Sequence, residues 1–209
     1  MPKSSPTLVG IDLGGERKGY HAVAYSGGTY IDKRAISDPI AASRWCKDHE
    51  AQIVAVDAPS GWSRSASSRL CEREMAQFGI SCFSTPTRDR AVEKAFYRWV
   101  LNGEILYKCL RADFPLFDGQ WSSKSSSIES FPFAVMCALA GRVVPAKHKA
   151  RVRREALMKL IYDVSSLANI DFVDAALCAV AADRFWENRF ELFGDKTEGI
   201  IVVPSGIRD

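Results

Sequence analysis

Five carboxylates in this chain stand where they could do chemistry together. Asp12 closes the apolar run Leu8-Val9-Gly10-Ile11, and Asp57 closes Ile53-Val54-Ala55-Val56. Such runs read as strands, and an unbroken apolar one reads as buried on both faces. Taking a carboxylate out of water costs several kcal/mol. Each aspartate therefore belongs at the carboxyl end of its strand, at the mouth of a cleft. If the two strands are parallel neighbours, the carboxylates lie about 5 Å apart, and a divalent cation is the common remedy for like charges so close. Asp171 and Asp174 follow in Asp171-Phe172-Val173-Asp174-Ala175-Ala176-Leu177. Residues three apart share one helical face, and the alanine-rich surroundings imply tight packing that carries Asp174 toward the strand ends. Asp171 reads equally well as a helix N-cap. Glu129, in Ile128-Glu129-Ser130-Phe131-Pro132, repeats the strand-then-proline pattern of Asp57-Ala58-Pro59. It completes a metal shell, acts from its edge, or pairs with an arginine. Asp12, Asp57 and Asp174 are the expected centre of the constellation.

Those positions require a sheet and its crossovers. Residues 1–6 read as a frayed tail, and Gly14-Gly15 as a tight turn after the first strand. Stretches 19–25 and 29–36 read as strands joined by a hairpin at Ser26-Gly27-Gly28. Asp38 as N-cap and Pro39 at the first position open a helix that ends near His49, with Ile40, Ala41, Trp45 and Cys46 inward. The order is three meandering strands, a crossover helix and a strand parallel to the first. The stretch 60–127 is too long for a simple connection. It carries helical patterns at 66–78 and 89–111 and a serine-rich end, without polar linkers on its flanks. It reads as an elaboration of a single domain covering 1–209. A short strand at 128–131, a helix from Pro132 to Ala140, a helix near 149–162, an apolar helix from Asn169 or Asp171 through Trp186, and a last strand at 199–203 complete the chain.

The bulk numbers describe an ordinary globular protein of 209 residues, 47% hydrophobic and 25% charged, long enough to bury a core without staples. A net charge of +3 selects no nucleic-acid partner by itself. The six cysteines form no Cys-x-x-Cys pair and the three histidines are not spaced to help them bind zinc, so they read as reduced, packed thiols of a cytoplasmic protein. No apolar run approaches the roughly 20 residues of a membrane span, and no membrane partner is expected. Cations for a phosphate backbone are available in Lys147-His148-Lys149-Ala150-Arg151-Val152-Arg153-Arg154. By composition alone this run is a solvated helix start, and only a place beside the acidic residues makes Lys147, Lys149, Arg151, Arg153 and Arg154 a nucleic-acid surface. Arg69 and Arg73, around Glu72, are a second candidate set and Arg88 a third. Trp62 and Trp121 are candidates for base stacking.

Taken together, Gly10-Ile11-Asp12 with Lys18-Gly19-Tyr20, Val56-Asp57-Ala58-Pro59, Arg69-x-Cys71-Glu72-Arg73-Glu74, Phe83-x-Thr85-Pro86, Ile128-Glu129-x-Phe131-Pro132 and Asp171-x-x-Asp174-Ala175-Ala176 resemble domain-of-unknown-function family 429, regarded as predicted nucleases. The last of these motifs also looks like the acidic helix of Holliday-junction resolvases. The resemblance covers about 8–204. It implies an α/β fold, an RNase H-like mixed five-stranded sheet flanked by helices, with the large helical insertion between the fourth and fifth strands. It further implies Mg²⁺ or Mn²⁺ held by Asp12, Asp57 and Asp174, with Asp171 beside them and Glu129 on its own motif. Ser60 stands where many relatives carry an aliphatic residue, and the insertion has no counterpart in simple RNase H enzymes. The expected reaction is phosphodiester hydrolysis of a nucleic acid by two metals about 3.5–4 Å apart. Asp12 would bridge both, Asp57 hold one side, and Asp174 with Asp171 the other, the short aspartate stem suiting octahedral Mg²⁺. Two rival readings are a non-catalytic RNase H-like module that binds nucleic acid or nucleotide, and an actin-like phosphotransferase. The latter is suggested by Gly10-Ile11-Asp12-Leu13-Gly14-Gly15 but opposed by Glu16-Arg17 after the glycines and by a length too short for a duplicated domain.

Overall fold

The computed structural model describes residues 5–14, 18–64, 67–122, 124–145 and 147–208. The start of the expected tail, Gly15 of the Gly14-Gly15 turn with Glu16 and Arg17, and Ser123 lie outside the described residues. Strands β1 (Thr7–Leu13), β2 (Tyr20–Ser26) and β3 (Thr29–Ile36) form the antiparallel meander. Its second turn falls on Gly27 and Gly28, whose φ values of 55° and 77° favour glycine. Helix α1 (Pro39–Asp48) crosses to β4 (Ala51–Asp57), which runs parallel to β1. The insertion holds α2 (Leu70–Gln77), α3 (Arg88–Val92), a 3-10 turn at Ala95–Tyr97 and α4 (Arg98–Leu110), so the helix expected at 89–111 is broken at 93–97. Then come β5 (Ser126–Glu129), α5 (Pro132–Ala140), α6 (Lys149–Lys159), α7 (Ile170–Trp186), β6 (Phe190–Asp195) and β7 (Gly199–Pro204).

Among the described residues the sheet has seven strands, ordered β3-β2-β1-β4-β5-β7-β6, which corrects the expectation of five. The hairpin β6–β7 extends the sheet beyond β5. The sequence marks β7 by an apolar run. It does not mark β6, an edge strand whose side chains are mostly half-buried and so carry little pattern. No helix among the described residues is long and apolar enough to cross a membrane.

Strand side chains alternate between two faces. Leu8, Ile53, Ala55 and Ile128 pack with Cys178, Ala182 and Phe185 of α7. Val9, Ile11, Val54 and Val56 face the other way, toward Trp45 of α1 and Leu106, Tyr107 and Leu110 of α4. Helices α5 and α6 join α7 on the first face. The insertion is thus structural as well as decorative: α4 packs on the second face beside α1, and the Ser43 hydroxyl of α1 donates to the Cys109 carbonyl at 3.0 Å. The Asp38 carboxylate caps α1 by accepting from the Ala41 amide at 2.7 Å. The inward residues of that helix are Ala42, Ser43, Trp45 and Cys46. Ile40, expected inward, is 60% exposed, and Ala41 also faces water. At the head of α7 the cap is Asn169, whose side chain accepts from the Phe172 amide at 3.0 Å. Asp171 is thereby released from capping.

Helix α7 lies very close to β1. A Cβ built on Gly10 would fall 1.8 Å from the Ala175 carbonyl oxygen and 2.5 Å from the Ala179 amide nitrogen. Both obstacles are backbone, so no side chain can turn aside. Gly10→Ala is expected to push α7 off the sheet, costing about 3 kcal/mol and lowering Tm by about 6–12 °C. A thermal melt unchanged from the wild type would refute the close approach.

Candidate active site

Asp12 and Asp57 are direct neighbours in the parallel ladder of β1 and β4, and alternation sends both toward the α7 face. Asp12 is only 8% exposed. The carboxyls share a hydrogen bond in which Asp57 donates to Asp12. Burial pushes Asp12 up to about 7, and the charges of Asp174 and Asp171 add to the effect, while the Asp57 hydrogen bond and Lys18 oppose it. Burial also holds Asp57 well above the ordinary carboxylate range, with Asp12 and Asp174 adding to it. The pair retains a proton near neutrality because two bare charges cannot share this space.

Helix α7 brings in the other two aspartates. Asp174 is also 8% exposed; burial raises its pKa, and Arg153 and Lys149 of α6 pull it back. The Arg153 guanidinium pairs directly with Asp174. Asp171 accepts from the Lys18 ammonium at 2.9 and 3.2 Å. All four expected aspartates therefore act on one another at one edge of the sheet. Even so, no three Asp, Glu, His or Cys side chains converge closely enough to hold a metal ion among the described residues. Each is instead paired: Asp12 and Asp57 hold each other, Arg153 holds Asp174, and Lys18 holds Asp171. The donor chemistry still fits a hard cation. Every donor is a carboxylate oxygen, and the retained proton stands where positive charge is wanted.

Glu129 is not brought to this group. It pairs with Val56 in the ladder, not with Asp57, so its side chain leaves the opposite face. There Arg69 grips it through both terminal nitrogens, at 2.6 Å to Oε1 and 2.8 Å to Oε2. The Ser60 amide and hydroxyl each donate to Oε2 at 2.7 Å. Arg69 also donates through Nε to Glu72 at 2.8 Å. Burial works against the Arg69 charge, and Glu129 more than compensates, raising its pKa well above the ordinary value. Of the alternatives for Glu129, the structure shows the arginine pair. Arg69, 2% exposed, is walled off from any phosphate backbone, which corrects its place among the nucleic-acid contacts.

The sequence model of the family described as Protein of unknown function (DUF429) matches residues 10–199. The chain belongs to the DUF429 family. No curated protein and no solved structure matches it.

The remaining cations of this DUF429 chain divide by position. Arg153 and Lys149 stand at Asp174, and Lys147 and Arg151 are exposed nearby in sequence, Arg151 beside Glu155 at 3.6 Å. Arg154 is turned inward onto the Val164 and Leu167 carbonyls. Arg88 pairs with Glu104 at 3.0 Å and Arg73 lies 3.7 Å from Glu198. Trp121 donates to the Phe185 carbonyl at 3.3 Å, near the far end of α7, about 16 Å along the helix from Asp174. That places it away from the aspartates. Ser60, noted for its departure from an aliphatic residue, uses its hydroxyl to serve Glu129. Sequence reasoning passed over a cleft of about 60 Å³ walled by Asp57, Glu129, Phe83, Trp99 and Phe131. The regular Arg69-x-x-Glu72 spacing was the available signal for the buried ion pairs, since residues three apart meet on a helix.

Two outcomes follow for the DUF429 chain. Arg69→Met leaves Glu129 and Glu72 buried without a cation, so urea denaturation should show a loss of about 3–5 kcal/mol; a loss under about 1 kcal/mol would contradict the buried grip. The second concerns pH in the metal-free protein. Folding lifts Asp12 from 3.8 to about 7, so the folded state binds the proton more tightly than the unfolded chain. Stability is then greatest below the unfolded value and is lost as pH rises toward 7. In EDTA at pH 8, Asp12→Asn is expected to be more stable than wild type by about 2 kcal/mol, or about 4–8 °C in Tm. The gap should close as pH falls toward 4. An Asp12→Asn protein that melts below wild type at pH 8 would show that the repulsion is absent.

Proposed function

We propose that this chain is a metal-dependent phosphodiesterase acting on nucleic acid, a nuclease of RNase H-like fold. The observation that carries the reading is the side-by-side placement of Asp12 and Asp57 at the ends of two parallel central strands, so crowded that they keep a proton between them. The fold reading is supported by the mixed block β3-β2-β1-β4-β5, with β6 and β7 as additions to it. Asp12, Asp57 and Asp174, with Asp171, would hold Mg²⁺ or Mn²⁺. When bound, such a cation supplies Lewis-acid polarisation of the phosphate and a more acidic water. The chain's own residues prepare for this. Asp57 gives up the shared proton, which leaves two acceptors at the strand ends. Asp174 parts from Arg153, and the freed guanidinium, together with Lys149, faces the acidic edge where a phosphodiester would lie. An arginine there can grip two phosphate oxygens at once.

A second reading has its own observation. Asp174 is engaged by Arg153 and, among the described residues, no three carboxylates converge, which favours an RNase H-like module that binds nucleic acid or nucleotide without turnover. One experiment separates the two. RNA, DNA, hybrid and branched oligonucleotides are incubated with the protein and Mg²⁺ or Mn²⁺, and products are resolved on a denaturing gel. Hydrolysis that disappears in EDTA and falls at least about 100-fold in Asp12→Asn and Asp57→Asn is the expected result, since removing even an outer partner of a metal site costs 10–100-fold. Cleavage indifferent to both substitutions would reject the site. Binding without cleavage under either ion would establish the module.

A further inference from the structure

Another cleft, of about 340 Å³, opens between edge strand β3 and helix α1. Arg34 pairs with Ala22 in the ladder, so alternation sends Arg34 and Ile36 to the face that α1 covers. The helix contributes Arg44, Trp45 and Asp48, and Ser37 lies in the loop between the two elements. The cleft shares no residue with the acidic edge. His21 pairs with Asp12 on one side and with Ala35 on the other. The cleft therefore lies at the same end of the sheet as the aspartates but on the opposite face.

The polar groups of this cleft are uncommitted. Among the described residues, neither Arg34 nor Arg44 has an ion-pair or hydrogen-bond partner. Asp48 stands one helical turn after Arg44 and does not pair with it. The Ser37 hydroxyl is exposed and also without a partner. Trp45 is 4% exposed, and its buried indole Nε1 has no acceptor. That indole is fixed in place: the His49 ring lies against it at 4.1 Å, and Asp32 stands 3.2 Å from His49. A buried donor left unmade is costly to a fold, and in the wall of a cleft a ligand can supply the missing acceptor.

The donor set selects the ligand. Two arginines stand against one aspartate in the lining, a balance too slight to hold a long polyanion by charge. A carboxylate ligand has two oxygens, and a single guanidinium fork fills them. A phosphate monoester carries about two negative charges and three terminal oxygens, enough to engage both forks and the Ser37 hydroxyl. Asp48 disfavours a bare anion and suits a ligand with hydroxyl groups to donate. The volume lies at the lower end of the roughly 300–1,000 Å³ of small-molecule sites. We infer that this cleft binds a small hydroxylated phosphomonoester, a sugar phosphate or mononucleotide. Arg34, Arg44 and Ser37 hold the phosphate, and Asp48 accepts from a ligand hydroxyl. The inference does not rest on the phosphodiesterase reading.

The test titrates the full chain in EDTA with ribose 5-phosphate, AMP, inorganic phosphate, ribose, adenosine and succinate. Affinity is read by calorimetry, and the site by the Trp45 indole N–H signal in ¹⁵N-labelled protein. At least one of ribose 5-phosphate and AMP is expected to bind and to move that signal. Its unphosphorylated counterpart and succinate should bind at least about 10-fold more weakly. Arg34→Ala and Arg44→Ala should each weaken the phosphomonoester about 10- to 100-fold. Asp48→Asn should weaken it while leaving inorganic phosphate as it was or tighter. All three substituted side chains are exposed, so the fold is expected to survive, and an unchanged Tm checks this. The inference is overturned if neither phosphomonoester binds tighter than about 10 mM. It is equally overturned if succinate, ribose or adenosine binds as tightly, if the Trp45 signal stays still, or if natively folded Arg34→Ala and Arg44→Ala proteins bind as wild type does.

Discussion

Between α7 and β1 there is no room for one methyl group, and much of the molecule is arranged around that contact. The constraint acts through Gly10, which has no Cβ to collide with the Ala175 carbonyl or the Ala179 amide. Alanines at 175, 176, 179, 181 and 182 keep the helix surface low enough to use the space. Asp174 comes just before the contact on the helix, and Asp12 comes two residues after Gly10 on the strand. Seating the helix therefore sets the two carboxylates at one level. Asp57 arrives independently, through its ladder register with Asp12. Three distant stretches meet because backbone packing leaves them nowhere else to go.

The sheet keeps two charge systems apart by alternation. On the α7 face, like charges are crowded and only partly neutralised: a shared proton serves Asp12 and Asp57, and single cations serve Asp174 and Asp171. On the other face, Arg69, Glu129 and Glu72 form a closed set, nearly sealed from water, with Ser60 completing it. The contrast separates what is poised from what is finished. Satisfied buried pairs hold structure and resist change. A carboxylate pair whose charge is balanced by a removable proton keeps the capacity to bind something else. Conformational cost points the same way, because breaking the Arg69 set leaves buried charges without a partner, while loss of the Asp57 proton breaks no buried ion pair.

Much of this was legible in the sequence. The meander, the crossover to β4 and the apolar helix α7 follow from runs and breakers whose signals are strong. Asp12 and Asp57 were legible for a sharper reason, since a charge at the end of a doubly buried run has only the strand end to occupy. Glu129 shows the limit. Its strand is buried on both faces, so no polar alternation reveals which side chains point where, and the register that pairs it with Val56 rather than Asp57 depends on the whole sheet. Edge strand β6 was hidden by the opposite problem, half-burial with weak alternation. The partner of Arg69 was hidden by distance, 60 residues along the chain. For α1 the helix, its cap and the inward Trp45 and Cys46 were correct, while the first turn buries Ala42 and Ser43 in place of Ile40 and Ala41, because residue type alone does not tell Ala41 from Ala42 and only packing distinguishes them.

The insertion joins these themes. A 60–127 excursion would be a liability if it merely hung from the sheet, yet α4 furnishes core residues Leu106, Tyr107 and Leu110 to the second face. Having that anchor, the same segment can hold side chains in water without losing order. The Tyr107 hydroxyl donates to the Ala58 carbonyl at 3.0 Å, directly after Asp57, which ties the buried end of α4 to the strand that carries the acidic pair. At the start of α4, Trp99 turns toward the cleft and Phe96 toward solvent. One helix therefore closes the core at one end and walls the cleft beside Asp57 and Glu129 at the other. Of these rings it is Trp99 that packs on the core beneath the sheet.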